Sequence, residues 1–144
     1  MSAGSSLPPL IVHTPRIEPA IAKRIRLVVF DVDGVLTDGG LYLGSAVYDG
    51  VAVPFELKRY DVQDGLGMAM LRECGIKVAI ITGRVSESVA TRARELRVDA
   101  CIQDKHARKL PALRKLCADW DIALADVAFV GDDLPDLGAM RHVG

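Results

Sequence analysis

From about residue 25 onward, short apolar runs alternate with longer stretches whose apolar residues recur at helical spacing. Ile25 to Phe30 (I-R-L-V-V-F), Val78 to Thr82 (V-A-I-I-T) and Val127 to Val130 (V-A-F-V) are rich in β-branched residues and have the length of buried strands. Ala100 to Ile102 is a shorter run of the same type. Between them, Asp64 is placed to cap a helix that runs to Cys74 and ends at Gly75, a left-handed C-cap. Ser86 is placed to cap a second helix carrying Val89, Ala93 and Leu96 on one face. A third spans about Arg108 to Trp120, with Leu110, Leu113, Leu116, Cys117 and Trp120 in phase, and a fourth begins near Pro135. Strand and helix in alternation predict an α/β fold, a Rossmann-like parallel sheet with helices on both faces.

Two stretches break that alternation. Residues 1–24 read as a loose Ser/Gly/Pro tail to about residue 16, followed by a short helix over Ile17 to Lys23; residues 25–144 form the core. Between Asp33 and Asp64, Leu41 and Leu43 flank Tyr42, Asp49-Gly50 is a turn signal, and Phe55, Leu57 and Arg59 oppose Glu56 and Lys58. That pattern predicts a small β-hairpin after the first strand.

Composition narrows the function classes. Lys plus Arg (18) nearly balance Asp plus Glu (19), so the electrostatic footprint of a nucleic-acid binder is missing. Cys74, Cys101 and Cys117 are odd in number and lack C-x-x-C spacing, which argues against a disulfide or zinc framework; they read as buried small apolar residues. The apolar stretch Leu10 to Val12 is too short for a signal peptide or a membrane span, so a soluble cytoplasmic protein with no membrane partner is expected.

Polar clusters follow the strands. Asp31-Val32-Asp33-Gly34-Val35-Leu36-Thr37-Asp38-Gly39 comes directly after the first, Thr82-Gly83-Arg84 after the second, and Gly131-Asp132-Asp133-Leu134-Pro135-Asp136 after the last. Right-handed crossovers bring these strand ends to one edge of the sheet, where open α/β sheets bind ligands. Several carboxylates gathered there repel one another unless a cation neutralises them, and an all-oxygen set suits Mg²⁺. With a hydroxyl, backbone amides and Arg84 or Lys109 nearby, the edge has the make-up of a phosphate site. An ionised Asp beside a phosphate either helps to hold metal or attacks phosphorus, and Asp33, two residues beyond Asp31, is placed to supply the acid and base.

Those strings, D-V-D-G-V-L-T-D-G, I-I-T-G-R, a downstream lysine and V-G-D-D-L-P-D, resemble the four motifs of the haloacid dehalogenase-like (HAD) phosphohydrolases. With V-Q-D-G-L-G between them, they are most similar to the 3-deoxy-D-manno-octulosonate 8-phosphate phosphatase subfamily, over about Ile25 to Gly144. The resemblance implies a Mg²⁺-dependent phosphomonoester hydrolase acting on a sugar-acid phosphate through an aspartyl-phosphate. Asp31 would be the nucleophile and Asp33 the general acid/base. Metal would be held by Asp31, the Asp33 backbone carbonyl and Asp132. Thr82, Gly83 and Lys109 would bind the phosphoryl group, with Asp133 or Asp136 orienting Lys109 or a metal-bound water. Of the adjacent Arg108 and Lys109, Lys109 is preferred because it precedes the apolar Leu110. Substrate contacts would come from Asp61, Val62, Gln63, Asp64, Gly65, Arg84 and Arg92.

Spacing adds one point. Asp33 to Thr82 holds only the hairpin and one helix, and Arg84 to Lys109 one helix and a short strand, so neither gap holds a cap domain. Subfamily members close their open sites by assembling as tetramers through the hairpin, which implies a homotetramer here. Some features depart from the subfamily. Gln63 stands where many relatives have Arg, Ala69 replaces a basic residue, and the chain stops at Gly144 where the pattern continues with a strand and helix, which predicts a C-terminally truncated core. Two other classes are conceivable: a non-catalytic oligomerisation or regulatory module of the same fold, and a phospho-receiver domain, whose phosphorylated Asp would follow the third strand.

Overall fold

The computed structural model describes residues 17–144, so the expected N-terminal tail lies outside the described residues. The chain forms α1 (Pro19–Ala22), β1 (Leu27–Phe30), β2 (Tyr42–Tyr48), β3 (Val51–Leu57), α2 (Gln63–Glu73), β4 (Lys77–Thr82), α3 (Glu87–Leu96), β5 (Ala100–Gln103), α4 (Lys109–Trp120), β6 (Val127–Val130) and α5 (Leu134–Met140). Strands β5-β4-β1-β6 make one parallel sheet in that order, and β2 with β3 makes a separate antiparallel hairpin. Among the described residues there is no cap domain, as the spacing implied. Among the described residues no helix is long and apolar enough to cross a membrane.

The period-two alternation of the strands divides the core between two sheet faces. Leu27, Val29, Ala79, Ile81, Val127 and Phe129 pack with Leu113, Leu116 and Cys117 of α4 and Ala139 of α5. Val78 and Ile80 point the other way, onto Met68 of α2 and Val89, Ala93 and Leu96 of α3. Covering both faces explains why these strands read as continuous apolar runs. The central position of β1 places its end, and Asp31, between the ends of β4 and β6.

The hairpin turns where expected. Tyr48 pairs with Val51 across a two-residue loop in which Asp49 (φ +48°) and Gly50 (φ +77°) are both left-handed. Only a primed turn matches the twist of the strands, and Asp-Gly is the sequence that reaches it cheaply. An isolated antiparallel bridge between Thr37 and Tyr60 closes the base of the hairpin.

Helix starts depart from the sequence reading in detail. Helix α2 begins at Gln63 with Val62 at the N-cap position, and the turn is held by the Asp61 carboxylate accepting from Gln63 N at 2.8 Å. Asp64 therefore sits inside the first turn and is not the cap. Ser86 occupies the N-cap of α3 without a capping bond, its own N–H donating to Gln103 Oε1 at 2.6 Å. At α2 a neighbouring residue takes the capping role, and at α3 a contact from β5 displaces the local one. Of the three cysteines only Cys117 is buried; Cys74, at the C-cap of α2, and Cys101, on the edge strand β5, are exposed. Leu113, fully buried between α4 and the sheet, sets a stability test. Leu113→Ala is expected to cost about 2–5 kcal/mol, read as a lowered midpoint in urea denaturation.

Candidate active site

The loop after β1 is built around Thr37. Asp31 N still donates to Val130 O at 2.9 Å, so the carboxylate leaves the sheet from a paired backbone position. Beyond the buried Val32 the chain turns back, with Val35, Leu36 and Thr37 N all donating to Val32 O. The Thr37 hydroxyl donates to the same carbonyl at 3.2 Å and accepts from Gly34 N at 3.3 Å and Gly39 N at 3.2 Å. Gly34 sits at φ +88°, and a Cβ there would lie 1.9 Å from Asp132 Oδ2. Glycine at this position is what allows the β1 loop and the β6 loop to meet.

Lys109 opens α4 at the neighbouring rim. Its buried ammonium lies 2.9 Å from Asp31 Oδ1 and 2.6 Å from Asp136 Oδ1. Asp136 is fully buried; its other oxygen accepts from Asp133 N at 3.2 Å. The Asp133 carboxylate accepts from Leu134 N at 2.6 Å, and its reciprocal pairing with Asp136 forms a capping box at the start of α5. Burial pushes the Asp31 carboxyl above its ordinary value; the Lys109 hydrogen bond opposes the shift and the nearby Asp136 charge adds to it. Arg108, the alternative cation, points to solvent and pairs with Asp104 at 3.2 Å. Only one of the two adjacent positions can face inward from the start of a helix, and that is Lys109.

Carboxylate oxygens of Asp31, Asp132 and Asp136 lie within 4.8 Å of one another. Both oxygens of Asp136 are taken, by Lys109 and the Asp133 amide, whereas Asp31 meets Lys109 through Oδ1 alone and Asp132 is exposed. Thr82 is buried at the end of β4, its hydroxyl accepting from Arg84 N at 3.4 Å. Asp31, Asp33, Thr82, Gly83, Arg84, Lys109, Asp132 and Asp133 all line one open cleft of about 410 Å³.

The hairpin adds two residues for which the sequence reading assigned no role. Lys58, its side chain entirely buried, forms an ion pair with Asp33 and stands 3.6 Å from Glu56 Oε1. Arg84 joins Glu56 Oε2 at 2.9 Å and lies 3.7 Å from Asp33 Oδ2. Burial would raise the Glu56 carboxyl, but the Ser86 hydroxyl, Arg84 and Lys58 outweigh it and hold it below its usual value. The alternation that places Glu56 and Lys58 on one face of the hairpin was visible in the sequence. That this face turns onto the Asp33 loop was not.

The remaining expected contacts stand elsewhere. Asp61, Val62 and Asp64 line a second groove of about 420 Å³ with Thr37, Asp38 and Arg59. Neither they nor Gln63 and Gly65 line the Asp31 cleft. Arg92, 9% exposed, donates to the Asp61 carbonyl at 2.6 Å, pairs with Glu95 at 3.0 Å and stacks over Tyr60. Within one protomer Arg92 is a brace between α3 and the start of α2, and its guanidinium is consumed by those partners.

No family model matches the chain. It is 42% identical over 125 residues to the 3-deoxy-D-manno-octulosonate 8-phosphate phosphatase KdsC of Escherichia coli (strain K12), covering 87% of this chain and 62% of that protein. The chain thus spans about 62% of the length of that curated relative. Among solved structures, the 3-deoxy-D-manno-octulosonate 8-phosphate phosphatase of Moraxella catarrhalis, in complex with magnesium, phosphate and KDO, matches with a TM-score of 0.75 and 44% identity, over 87% of this chain and 67% of that one. A putative 3-deoxy-D-manno-octulosonate 8-phosphate phosphatase from Vibrio cholerae matches with a TM-score of 0.76 and 37% identity, over 89% and 69%.

Removing the ammonium between Asp31 and Asp136 leaves a fully buried carboxylate without its cation. Lys109→Met is expected to cost about 3–5 kcal/mol, measured by chemical denaturation. Unchanged stability would mean that the pair is not buried in solution.

Proposed function

Because the chain belongs to the 3-deoxy-D-manno-octulosonate 8-phosphate phosphatase family of HAD-superfamily hydrolases, we propose that it hydrolyses a phosphorylated sugar acid with Mg²⁺ as cofactor. The observation that carries this reading is the buried Asp31 held against Lys109 and beside the Asp132 carboxylate, at the floor of an open cleft. The oxygen-only donor set fits a hard divalent cation, with the Asp31 and Asp132 carboxylates and the Asp33 carbonyl as its holders. Bound there, Mg²⁺ would offset the repulsion between the Asp31 carboxylate and the phosphate dianion.

The chain's own residues account for the rest. An Asp31 oxygen forms a bond to phosphorus as the ester P–O bond breaks, and Asp33 delivers a proton to the departing oxygen. Asp33 then takes a proton from the water that attacks the aspartyl-phosphate, releasing phosphate and restoring Asp31. Thr82, the Gly83 amide and Lys109 bind the phosphoryl oxygens, while Asp136 orients Lys109 and Asp133 fixes the start of α5. Arg84, half exposed in the cleft, is the substrate contact available within one protomer.

A homotetramer would complete the site. Tyr48, Val51, Val53, Phe55 and Leu57 share one exposed face of the hairpin, and Val62, Leu66 and Met70, spaced i, i+4, i+8 from the N-cap of α2, are exposed as well. Apolar surface of that extent supports an interface between copies. In it, the segment Asp61 to Gly65 of one copy would contact substrate held by another, with Arg92 keeping that segment in place. Asp31 paired with Lys109 gives no support to the reading of a non-catalytic module.

Phosphate release from 3-deoxy-D-manno-octulosonate 8-phosphate is the direct test. Activity is expected to vanish with a chelator and return with Mg²⁺, and Asp31→Asn is expected to lower kcat at least about 10³-fold. Full activity in either condition would sink the proposal. Phe55→Asp on the exposed hairpin face is expected to shift the sedimentation coefficient from tetramer towards monomer; a variant that stays tetrameric would place the interface elsewhere.

A further inference from the structure

Lys58 is an unusual lysine. Its side chain has no solvent exposure, yet it sits just past the end of an otherwise exposed hairpin. A buried ammonium is tolerated only where carboxylates compensate it. Two do: Asp33 through Oδ1, and Glu56 at 3.6 Å. The second oxygen of Glu56 is taken by Arg84 at 2.9 Å, so two carboxylates and two cations form a neutral set.

The loop that carries Asp33 is already held by the Thr37 hydroxyl and by Gly34. Lys58 adds nothing to that backbone arrangement. What it fixes is the side chain, because Asp33 is about one-third exposed and would otherwise be free to rotate into solvent. With Oδ1 pinned by Lys58, Oδ2 is left as the oxygen that faces Arg84 and the cleft. The bridge between Thr37 and Tyr60, two residues beyond Lys58, fixes the backbone from which the lysine reaches.

We infer that Lys58, braced by Glu56, is a positioning residue that aims the Asp33 carboxyl at the leaving oxygen, a role that rests on the phosphatase reading above. The hairpin is thereby part of the catalytic geometry of its own protomer, in addition to any part in assembly. A misaimed acid matters only where the leaving group needs a proton. An alkoxide leaves poorly without one, whereas p-nitrophenolate leaves unaided.

The test compares kcat/KM for 3-deoxy-D-manno-octulosonate 8-phosphate and for p-nitrophenyl phosphate in the Mg²⁺-loaded protein, with circular dichroism to confirm folding. Lys58→Met is expected to lose about tenfold or more on the alkyl ester beyond any loss on the aryl ester, and Lys58→Arg to recover most of it. An equal loss on both esters, or none, overturns the inference, since a merely structural role lowers both together. Should Lys58→Met fail to fold, Glu56→Gln decides: a loss selective for the alkyl ester supports the inference and an unselective one overturns it. Asp33→Asn serves as the reference, expected to show the same selectivity at about 10² or more. If Asp33→Asn is itself unselective, the assignment of Asp33 as the acid fails; if only the Lys58 and Glu56 variants are unselective, the positioning role alone fails.

Discussion

One ammonium buried between two aspartates organises the rim of the sheet. Lys109 comes from the first turn of α4, Asp31 from the end of β1 and Asp136 from the first turn of α5. Taking three charges out of water costs several kcal/mol each unless they satisfy one another, so the three elements can approach only in this arrangement. Asp136 is closed off by the Asp133 amide as well, and Asp133 caps the same helix. A single charge network therefore fixes the start of two helices and the direction of the Asp31 carboxylate. Asp132, one residue away, is left exposed with no part in it and is free for a cation.

The hairpin extends the same logic to the other side of the cleft. Its strands alternate as any two-stranded ribbon must, so Phe55 and Leu57 face one way and Glu56 and Lys58 the other. One side presents apolar groups to solvent and suits a neighbouring copy. The other side places a buried lysine on Asp33. Two carboxylates two residues apart on one loop thus acquire different environments. Asp31 is buried against Lys109, its carboxyl pushed up by loss of water, while Asp33 stays partly exposed between Lys58 and Arg84.

Much of this was legible along the chain. The apolar runs located β1, β4 and β6 because strands covered on both faces have no polar side to interrupt them. Asp49-Gly50 located the hairpin turn because few other pairs tolerate two left-handed residues in succession. Asp31, Asp33, Thr82, Lys109 and Asp132 converge in one cleft because parallel strands with right-handed crossovers carry their ends to the same edge. These are local or topological rules, and sequence encodes them directly.

Contacts between elements that no periodicity links were decided by the tertiary structure. Asp64 and Ser86 have the chemistry of caps, yet Asp61 holds the α2 start because the helix begins one residue before Asp64, and Gln103, distant in sequence, takes the Ser86 amide. Arg92 has the chemistry of an anion contact, but its guanidinium is spent on the Asp61 carbonyl and Glu95. Glu56 and Lys58 read as an ordinary solvated face until the hairpin folds back over the Asp33 loop. The sequence by itself determined which residue types stand at the strand ends. Which of them face one another, and which are left free to bind a ligand, depended on packing, because a charge's partner is chosen by distance in space and by the water it loses.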